Sequence, residues 1–298
     1  VNPSIIITLI DNDIDFYRLK KYFPDKKFIA IQNGYRTEPK KKFLIKKNEK
    51  LQCDIIFCFG KQNINYYKSF VETKVIVLGS LKNNLILRKN LKKKNIVTYI
   101  SEYRPLSESI KIDFFSFGKT YWGNSLISEK KLVKVINYLC KKRNIKFYIL
   151  GRHLDSNKEK ELTYFSKIIG KDNFNYIAKK NMLSSYNFLT RSGTIISMAS
   201  SLGYEFFSRN NKMIFFSKRY YNIKEISKYY KFGWPFINKK KGFFYSDDIS
   251  NKEILRLAKN VIDCKQSKWL KKKKVYQENL ISYNYRNILL KQELKINF

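Results

Sequence analysis

The chain has 298 residues, 44% of them hydrophobic and 16% aromatic, and 61 Lys and Arg against 24 Asp and Glu give a formal net charge of +37. That apolar content supplies sizeable cores and excludes a disordered chain, while the length suits two domains or one large one. No apolar run approaches the roughly 18 residues of a membrane span, and no charged-then-apolar signal segment with a cleavage site is present. Cys53, Cys58, Cys140 and Cys264 lack metal-ligand spacing, and His153 is the single histidine, so no zinc site is expected. Reduced packing cysteines in a cytoplasmic protein are the expectation.

Ser4-Ile-Ile-Ile-Thr-Leu-Ile10 is a continuous apolar run, the pattern of a strand buried on both faces, and it ends in the polar turn Asp11-Asn12-Asp13. Phe16 to Tyr22 reads as a short helix stopped near Pro24. Lys27-Phe-Ile-Ala-Ile31 is the next strand, running into Gln32-Asn33-Gly34, and residues 40–50 form a basic surface loop. Cys53-Asp-Ile-Ile-Phe-Cys-Phe-Gly60 is a third strand, Gln62 to Phe70 a helix, and Lys74-Val-Ile-Val-Leu-Gly79 a fourth strand. After the charge run Lys89 to Lys94, the strand Asn95-Ile-Val-Thr-Tyr-Ile-Ser101 opens a second series. Glu102 to Asn124 is irregular, with Pro105, Gly118 and Gly123. Ser128 to Lys142 is an amphipathic helix with Leu132, Val135, Ile136 and Leu139 on one face and Ser128 as its cap. Lys146 to Gly151 is a strand, followed by Arg152-His153-Leu154-Asp155. Then come a helix from Glu159 to Ile169, a short strand from Phe174 to Ala178 and a helical turn from Ser184 to Thr190. From Lys252 the pattern predicts two helices joined by a basic linker, Lys271 to Lys274.

Gly193 to Arg209 carries the clearest ligand signal. Thr194 to Met198 reads as a buried strand, Ala199-Ser200-Ser201 as a small-residue turn and Leu202 to Arg209 as a helix, before a further strand from Lys212 to Ser217. Such a turn at the carboxyl end of an α/β strand is where anionic ligands bind, on free N–H groups and hydroxyls at the helix start. Ser200 or Ser201 would hold a phosphate there, and Glu205, one turn in, would accept from ribose hydroxyls. The competing reading makes the serines an N-cap and Glu205 a solvated helix residue.

Strand, turn, helix, strand repeats mark the α/β class with parallel sheets. The charge run places a boundary near residue 92, giving an N-terminal domain over 1–91 and a C-terminal domain over 92–298 that includes the terminal helices. Two facing Rossmann-like domains with a cleft between them are expected. Val1 is not methionine and a strand follows almost at once, so the first domain is expected to be incomplete.

In chain order, Ile10-Asp-Asn-Asp13, Phe16-Tyr-Arg-Leu19, Phe28-Ile-Ala-Ile-Gln-Asn-Gly34, Phe59-Gly-Lys61 and Gly79-Ser-Leu-Lys-Asn-Asn84 form a distinctive series. Ser101-Glu-Tyr-Arg-Pro105, Leu150-Gly-Arg152, Ser201-Leu-Gly-Tyr-Glu205 and Phe232-Gly-Trp-Pro235 continue it. Together they resemble bacterial surface-carbohydrate biosynthesis proteins, GT-B glycosyltransferases of lipopolysaccharide and capsule loci, and more distantly the retaining β-Kdo transferases that use CMP-Kdo. The resemblance covers nearly the whole chain. It implies the GT-B arrangement and a nucleotide-sugar donor, with no separate cofactor and no metal. Three departures stand out. Ala199 occupies a place where that family has a carboxylate, Glu102 a place where it has glutamine, and His153 is followed by Leu154 and not by proline.

A metal-independent site of this kind needs cations and helix starts for the leaving phosphate and a carboxylate for the chemistry. Arg104, Arg152, Ser200, Ser201, Gly203 and Glu205 are the nucleotide and phosphate candidates, with Lys61 and Arg219 as further cations. Asp11, Asp13, Glu102 and Asp155 are the catalytic candidates, with Asp13 open to being a helix cap and Asp11 to being structural. Asn12, Gln32, Asn33, Lys61 and Trp234 would line the sugar or acceptor side. The expected activity is transfer of a sugar from a nucleotide donor, CMP-Kdo among the candidates, to a lipid-linked or polysaccharide acceptor. The alternatives are a catalytically lapsed nucleotide-sugar-binding relative and a basic nucleic-acid-associated protein. The positive charge fits compositional drift first, since Lys, Asn, Ile, Tyr and Phe are abundant together. An anionic membrane surface at the inner face comes second, and no nucleic acid is expected, because no RNP, zinc-finger or helix-turn-helix pattern is present.

Overall fold

A computed structural model describes residues 2–34, 36, 45, 49–88, 93–103, 116–154, 157–181, 183–198, 200–216 and 241–295, with 116–126 as backbone alone. Two compact units form, the first from Val1–Arg88, Phe207–Arg209 and Lys273–Phe298, the second from Lys89–Phe206 and Asn210–Lys272.

The first unit holds four parallel strands, β1 (Ile5–Thr8), β2 (Lys27–Ile31), β3 (Gln52–Cys58) and β4 (Glu72–Val77), side by side in sequence order. Helices α1 (Ile14–Leu19), α2 (Gln62–Lys68) and α3 (Leu81–Leu85) connect and follow them. Strand side chains alternate between faces, and both faces of the inner strands are apolar. Phe28, Ala30, Ile56 and Cys58 pack on one side with Phe16, Tyr17 and Tyr67. Ile29, Ile31, Ile55 and Phe57 pack on the other with Leu78, Leu290 and Leu294. β1, expected from its apolar run to be buried on both faces, instead lies at the sheet edge, and the outward Ile5 and Ile7 remain exposed.

The second unit starts with β5 (Lys94–Ile100) and α4 (Ser116–Lys142), then β6 (Lys146–Leu150), α5 (Asn157–Ile169) and β7 (Asn175–Ile177). α6 (Ser184–Leu189), β8 (Ser192–Ser197), α7 (Ser201–Ser208), β9 (Lys212–Phe216) and β10 (Tyr245–Ser246) continue it. The chain closes with α8 (Asn251–Ile262), α9 (Gln266–Leu280) and α10 (Ile288–Leu294). The sheet runs β10-β9-β8-β5-β6-β7, every neighbouring pair parallel. Counted from the far edge in the order the unit's strands are made, this is 3-2-1-4-5-6, the doubly wound Rossmann order. The α/β class with two Rossmann-like units therefore holds.

Four further elements differ from the sequence expectations. The irregular stretch expected to reach 124 is already helical from Ser116, and Ser128 lies buried inside α4 instead of capping it. Glycine costs a helix only about 1 kcal/mol relative to alanine, so Gly118 and Gly123 are carried by its length. Lys271 to Lys274 is helix, part of α9, because lysine is a good helix former. A short helix, α3, follows β4. Finally, Lys273–Phe298 packs with the first unit and not with the second, since Leu290 and Leu294 cover the first sheet and Glu293 pairs with Lys74.

Candidate active site

In the second sheet the chain runs outward from β5 to β6 and β7, then returns to β8 on the other side of β5. Tyr99 pairs with Ile196, so the turns after β5 and β8 leave the sheet as neighbours. This reversal is the switch point, where crossover helices diverge and open α/β sheets take their ligands.

After β5, the backbone N–H of Glu102 donates to Glu129 Oε1 of α4 at 3.0 Å, and the Tyr99 hydroxyl donates to the same oxygen at 2.7 Å. Glu129 is 1% exposed, and burial raises its carboxyl from 4.5 to about 7. Glu102 itself is buried at the switch point, and Ser101 Oγ accepts from Tyr103 N at 3.1 Å. After β6 a second inward carboxylate recurs. Glu161 of α5, fully buried, accepts Arg152 N at 3.1 Å, His153 N at 3.3 Å and the Tyr176 hydroxyl at 3.0 Å. The backbone donors of this turn are thus spent inside the protein. What the turn presents outward is the exposed Arg152 side chain, which makes no hydrogen bond or ion pair among the described residues. His153 is held with Nε2 3.1 Å from Tyr103 O.

The turn after β8 leads directly into α7. Ser200 acts as a cap, its Oγ accepting Leu202 N at 3.3 Å and its carbonyl Gly203 N at 3.0 Å. Gly203 faces the sheet. A Cβ there would lie 2.6 Å from Ser197 Oγ and 3.2 Å from the Phe215 ring, so the glycine lets α7 sit close on its strands. Ser197 Oγ is buried without a hydrogen-bond partner. Glu205 is buried, not solvated, and accepts the Tyr186 hydroxyl.

The first unit gathers a different group. Asp11 is fully buried and accepts Asn33 N at 3.1 Å, Arg36 Nε at 2.7 Å and the Tyr67 hydroxyl at 2.6 Å, while the Tyr17 hydroxyl donates to its carbonyl. Asn33 Oδ1 accepts from Arg36 Nη2 at 2.7 Å. Asp11 therefore organises the end of β2. Asp13 is the N-cap of α1, accepting Asp15 N at 3.1 Å. Gln32 is buried, joining Phe59 N at 2.7 Å to the Gly34 carbonyl at 2.8 Å, and Asn12 is exposed. The Gly60-Lys61 turn, expected to be open to ligand, is covered by the chain's own C-terminal segment. Ser282 N reaches Phe59 O at 2.7 Å, Lys61 N reaches Glu278 O at 3.1 Å, and Lys61 Nζ pairs with Glu278 at 2.7 Å.

Arg104, Asp155, Ala199, Arg219 and Trp234 lie outside the described residues. Among the described residues the structure brings Glu102, Ser200 and Ser201 to one switch point, with Arg152 one strand further along. Arg36, Glu129 and Glu161 escaped the sequence reading. For the two glutamates a signal existed: Glu129 is in helical register with the buried Leu132, Val133 and Ile136, and Glu161 with the buried Phe165. No group of three or more His, Cys, Asp or Glu that could hold a metal occurs among the described residues, and none of their helices is long and apolar enough to cross a membrane.

A family profile described as "putative O-antigen biosynthesis protein" matches residues 29–297. No curated protein sequence matches the chain. Solved structures share its fold. The Methanocaldococcus jannaschii UDP-GlcNAc 2-epimerase, in complex with UDP-GlcNAc and UDP, aligns with TM-score 0.59 at 9% identity over 99% of this chain and 76% of its own. S. aureus MnaA with UDP gives TM-score 0.56 at 15% identity, covering 99% and 75%. The wall teichoic acid polymerase TagF gives 0.51 at 12% identity, covering 91% and 67%. At these identities the likeness is one of fold, the GT-B fold.

Proposed function

The chain belongs to the family of O-antigen biosynthesis proteins, and from that membership we propose that it is a glycosyltransferase of surface-carbohydrate assembly, moving a sugar from a nucleotide-activated donor to a lipid-linked or polysaccharide acceptor. The observation that carries the reading is the switch point of the second unit, where the β8–α7 turn meets the turn holding Glu102. Two of the structures that share the fold, the M. jannaschii epimerase and S. aureus MnaA, are complexes with UDP-GlcNAc and UDP or with UDP, which supports a nucleotide sugar as the ligand class.

In this reading the start of α7, with Ser200 and Ser201, receives the donor phosphate, the backbone dipoles and hydroxyls supplying neutralisation without a metal. Arg152, and Arg104 after β5, add positive charge as the phosphate leaves. Glu205 fixes the ribose, its carboxylate oriented by Tyr186. Glu102 is the carboxylate assigned to the acceptor hydroxyl, because Asp13 is spent as a helix cap and Asp11 on four donors. The net charge of +37 supports work beside an anionic membrane face.

Thermal-shift titration against UDP, UDP-GlcNAc, CMP and CMP-Kdo, followed by an assay of donor consumption, tests the proposal. At least one nucleotide should raise Tm, and Glu205→Gln should weaken that nucleotide about tenfold while leaving the apo Tm near wild type. No shift with any nucleotide overturns nucleotide-sugar binding. A shift without donor consumption or transfer overturns the enzymatic assignment and leaves a binding protein.

A further inference from the structure

The first unit carries a group of cations that the proposed reaction does not use. Lys273 of α9 is 2% exposed and donates to the Phe207 carbonyl at 2.6 Å. It lies in the run Lys271 to Lys274, whose other members stay exposed. Arg209 spends its guanidinium on carbonyls and an amide oxygen, with Nη2 2.9 Å from Asn83 O and Nη1 3.2 Å from Leu87 O. The guanidinium carbon of Arg88 lies 3.8 Å from the centre of the Tyr283 ring, and that of Arg209 lies 5.6 Å from the same centre. Tyr283 is fixed in turn, its hydroxyl donating to the Ile86 carbonyl at 2.8 Å and its ring stacked on Tyr285.

Neither Arg88 nor Lys273 forms an ion pair with a carboxylate among the described residues. Two like charges thus rest on a carbonyl dipole and a ring face, and the planar fork of Arg88 finds no acceptor among the described residues. Burial, then the charge of Arg88, hold the Lys273 ammonium down to about 7, and burial with Arg209 also lowers Arg88. A buried charge left unneutralised is costly, so the arrangement is at its most favourable with an anion in place. A guanidinium pre-oriented by ring stacking matches the two-oxygen edge of a phosphate, and a nearby ammonium adds a point charge. We propose that Arg88, laid on Tyr283, and Lys273 form a binding site for a phosphate-type oxyanion, built wholly from residues of the first unit.

The test uses the full chain with sodium pyrophosphate and inorganic phosphate in thermal-shift titrations, ionic strength held constant with sodium chloride. Pyrophosphate is expected to raise Tm at millimolar concentration. Arg88→Gln should weaken it at least tenfold without lowering the apo Tm, since the substitution removes repulsion and the side chain is outward. Arg88→Lys, which keeps the charge but loses the planar fork, should fall between. Tyr283→Leu should also weaken binding by freeing Arg88. A salt-matched absence of any shift, or a shift equal in wild type and Arg88→Gln, overturns the site. Cosedimentation with phosphatidic acid and phosphatidylcholine vesicles separates the sources of the phosphate. Arg88-dependent pelleting with phosphatidic acid supports a lipid headgroup, and a pyrophosphate shift without pelleting supports a soluble phosphate ligand.

Discussion

Glu129 shows how a single buried carboxyl sets both the geometry and the pH response of a turn. Its folded pKa of about 7 lies above the 4.5 of an unperturbed glutamate, mainly through burial, with Tyr99, Tyr164 and Glu102 facing it. Between those values the folded state holds a proton that the unfolded state has lost. This group's contribution is therefore fully present below 4.5 and is lost as pH rises to about 7. The loss amounts to roughly 3 kcal/mol. Glu129→Gln keeps an amide oxygen for Tyr99 and the Glu102 N–H and removes the titration. Urea unfolding at pH 5 and pH 8 should show the variant less destabilised by the rise than wild type, and equal pH slopes would clear Glu129 of the effect. The same residue marks a limit of reading by residue type. Glutamate scores as solvated, yet its register with Leu132, Val133 and Ile136 points it inward, and only the fold reveals the Glu102 N–H waiting there. Asp13, open between catalyst and cap in the sequence, turned out to be the cap because its carboxylate sits beside a free helix-start N–H.

At the scale of elements, the unit from β8 through α7 to β9 was legible to within two residues, because β-branched runs, small residues and an apolar helix follow one another there. The role of Gly203 was not. Its motif position suggested phosphate contact, whereas its missing Cβ makes room for Ser197 at a closest approach of 2.6 Å. Gly203→Ala should destabilise by about 1–3 kcal/mol through overpacking, despite the better helix propensity of alanine. Ser197→Gly removes both opposing atoms, so the double variant should recover part of the loss, a coupling visible in a double-mutant cycle. Additive effects would show that α7 shifts freely on the strand. Lys271 to Lys274 is the converse case, where charge density suggests a linker and the chain is helical. Charge says nothing against helix, and one lysine in four turns inward.

For the whole molecule, the strand series gave away the α/β class and the parallel sheets, but neither sheet order nor the destination of the C-terminus is written in local pattern. The sheet order depends on crossovers, and the last segment's seat depends on contacts made more than 200 positions away in sequence, such as Asn84 with Asn287. Gly60, like Gly79, is a place where this long-range fit leaves no room for a side chain. A Cβ at Gly60 would lie 2.3 Å from Asn279 O and 2.5 Å from the Leu280 carbonyl carbon, both backbone atoms that cannot swing aside. The segment could accommodate alanine only by lifting off the ends of β3 and β4, breaking the Ser282-to-Phe59 and Lys61-to-Glu278 hydrogen bonds. Leu290 and Leu294 would then lose their footing on Ile29, Ile31, Ile55 and Phe57. Gly60→Ala should therefore cost about 3 kcal/mol or slightly less. Hydrogen exchange should localise the damage: faster exchange at 279–283 and along β2 and β3, with β6 and β8 of the second unit protected as in wild type. Uniform loss of protection through both sheets would mean that the C-terminal segment stabilises more than the first unit, and unchanged protection at 279–283 would mean that it does not rest on Gly60 in solution.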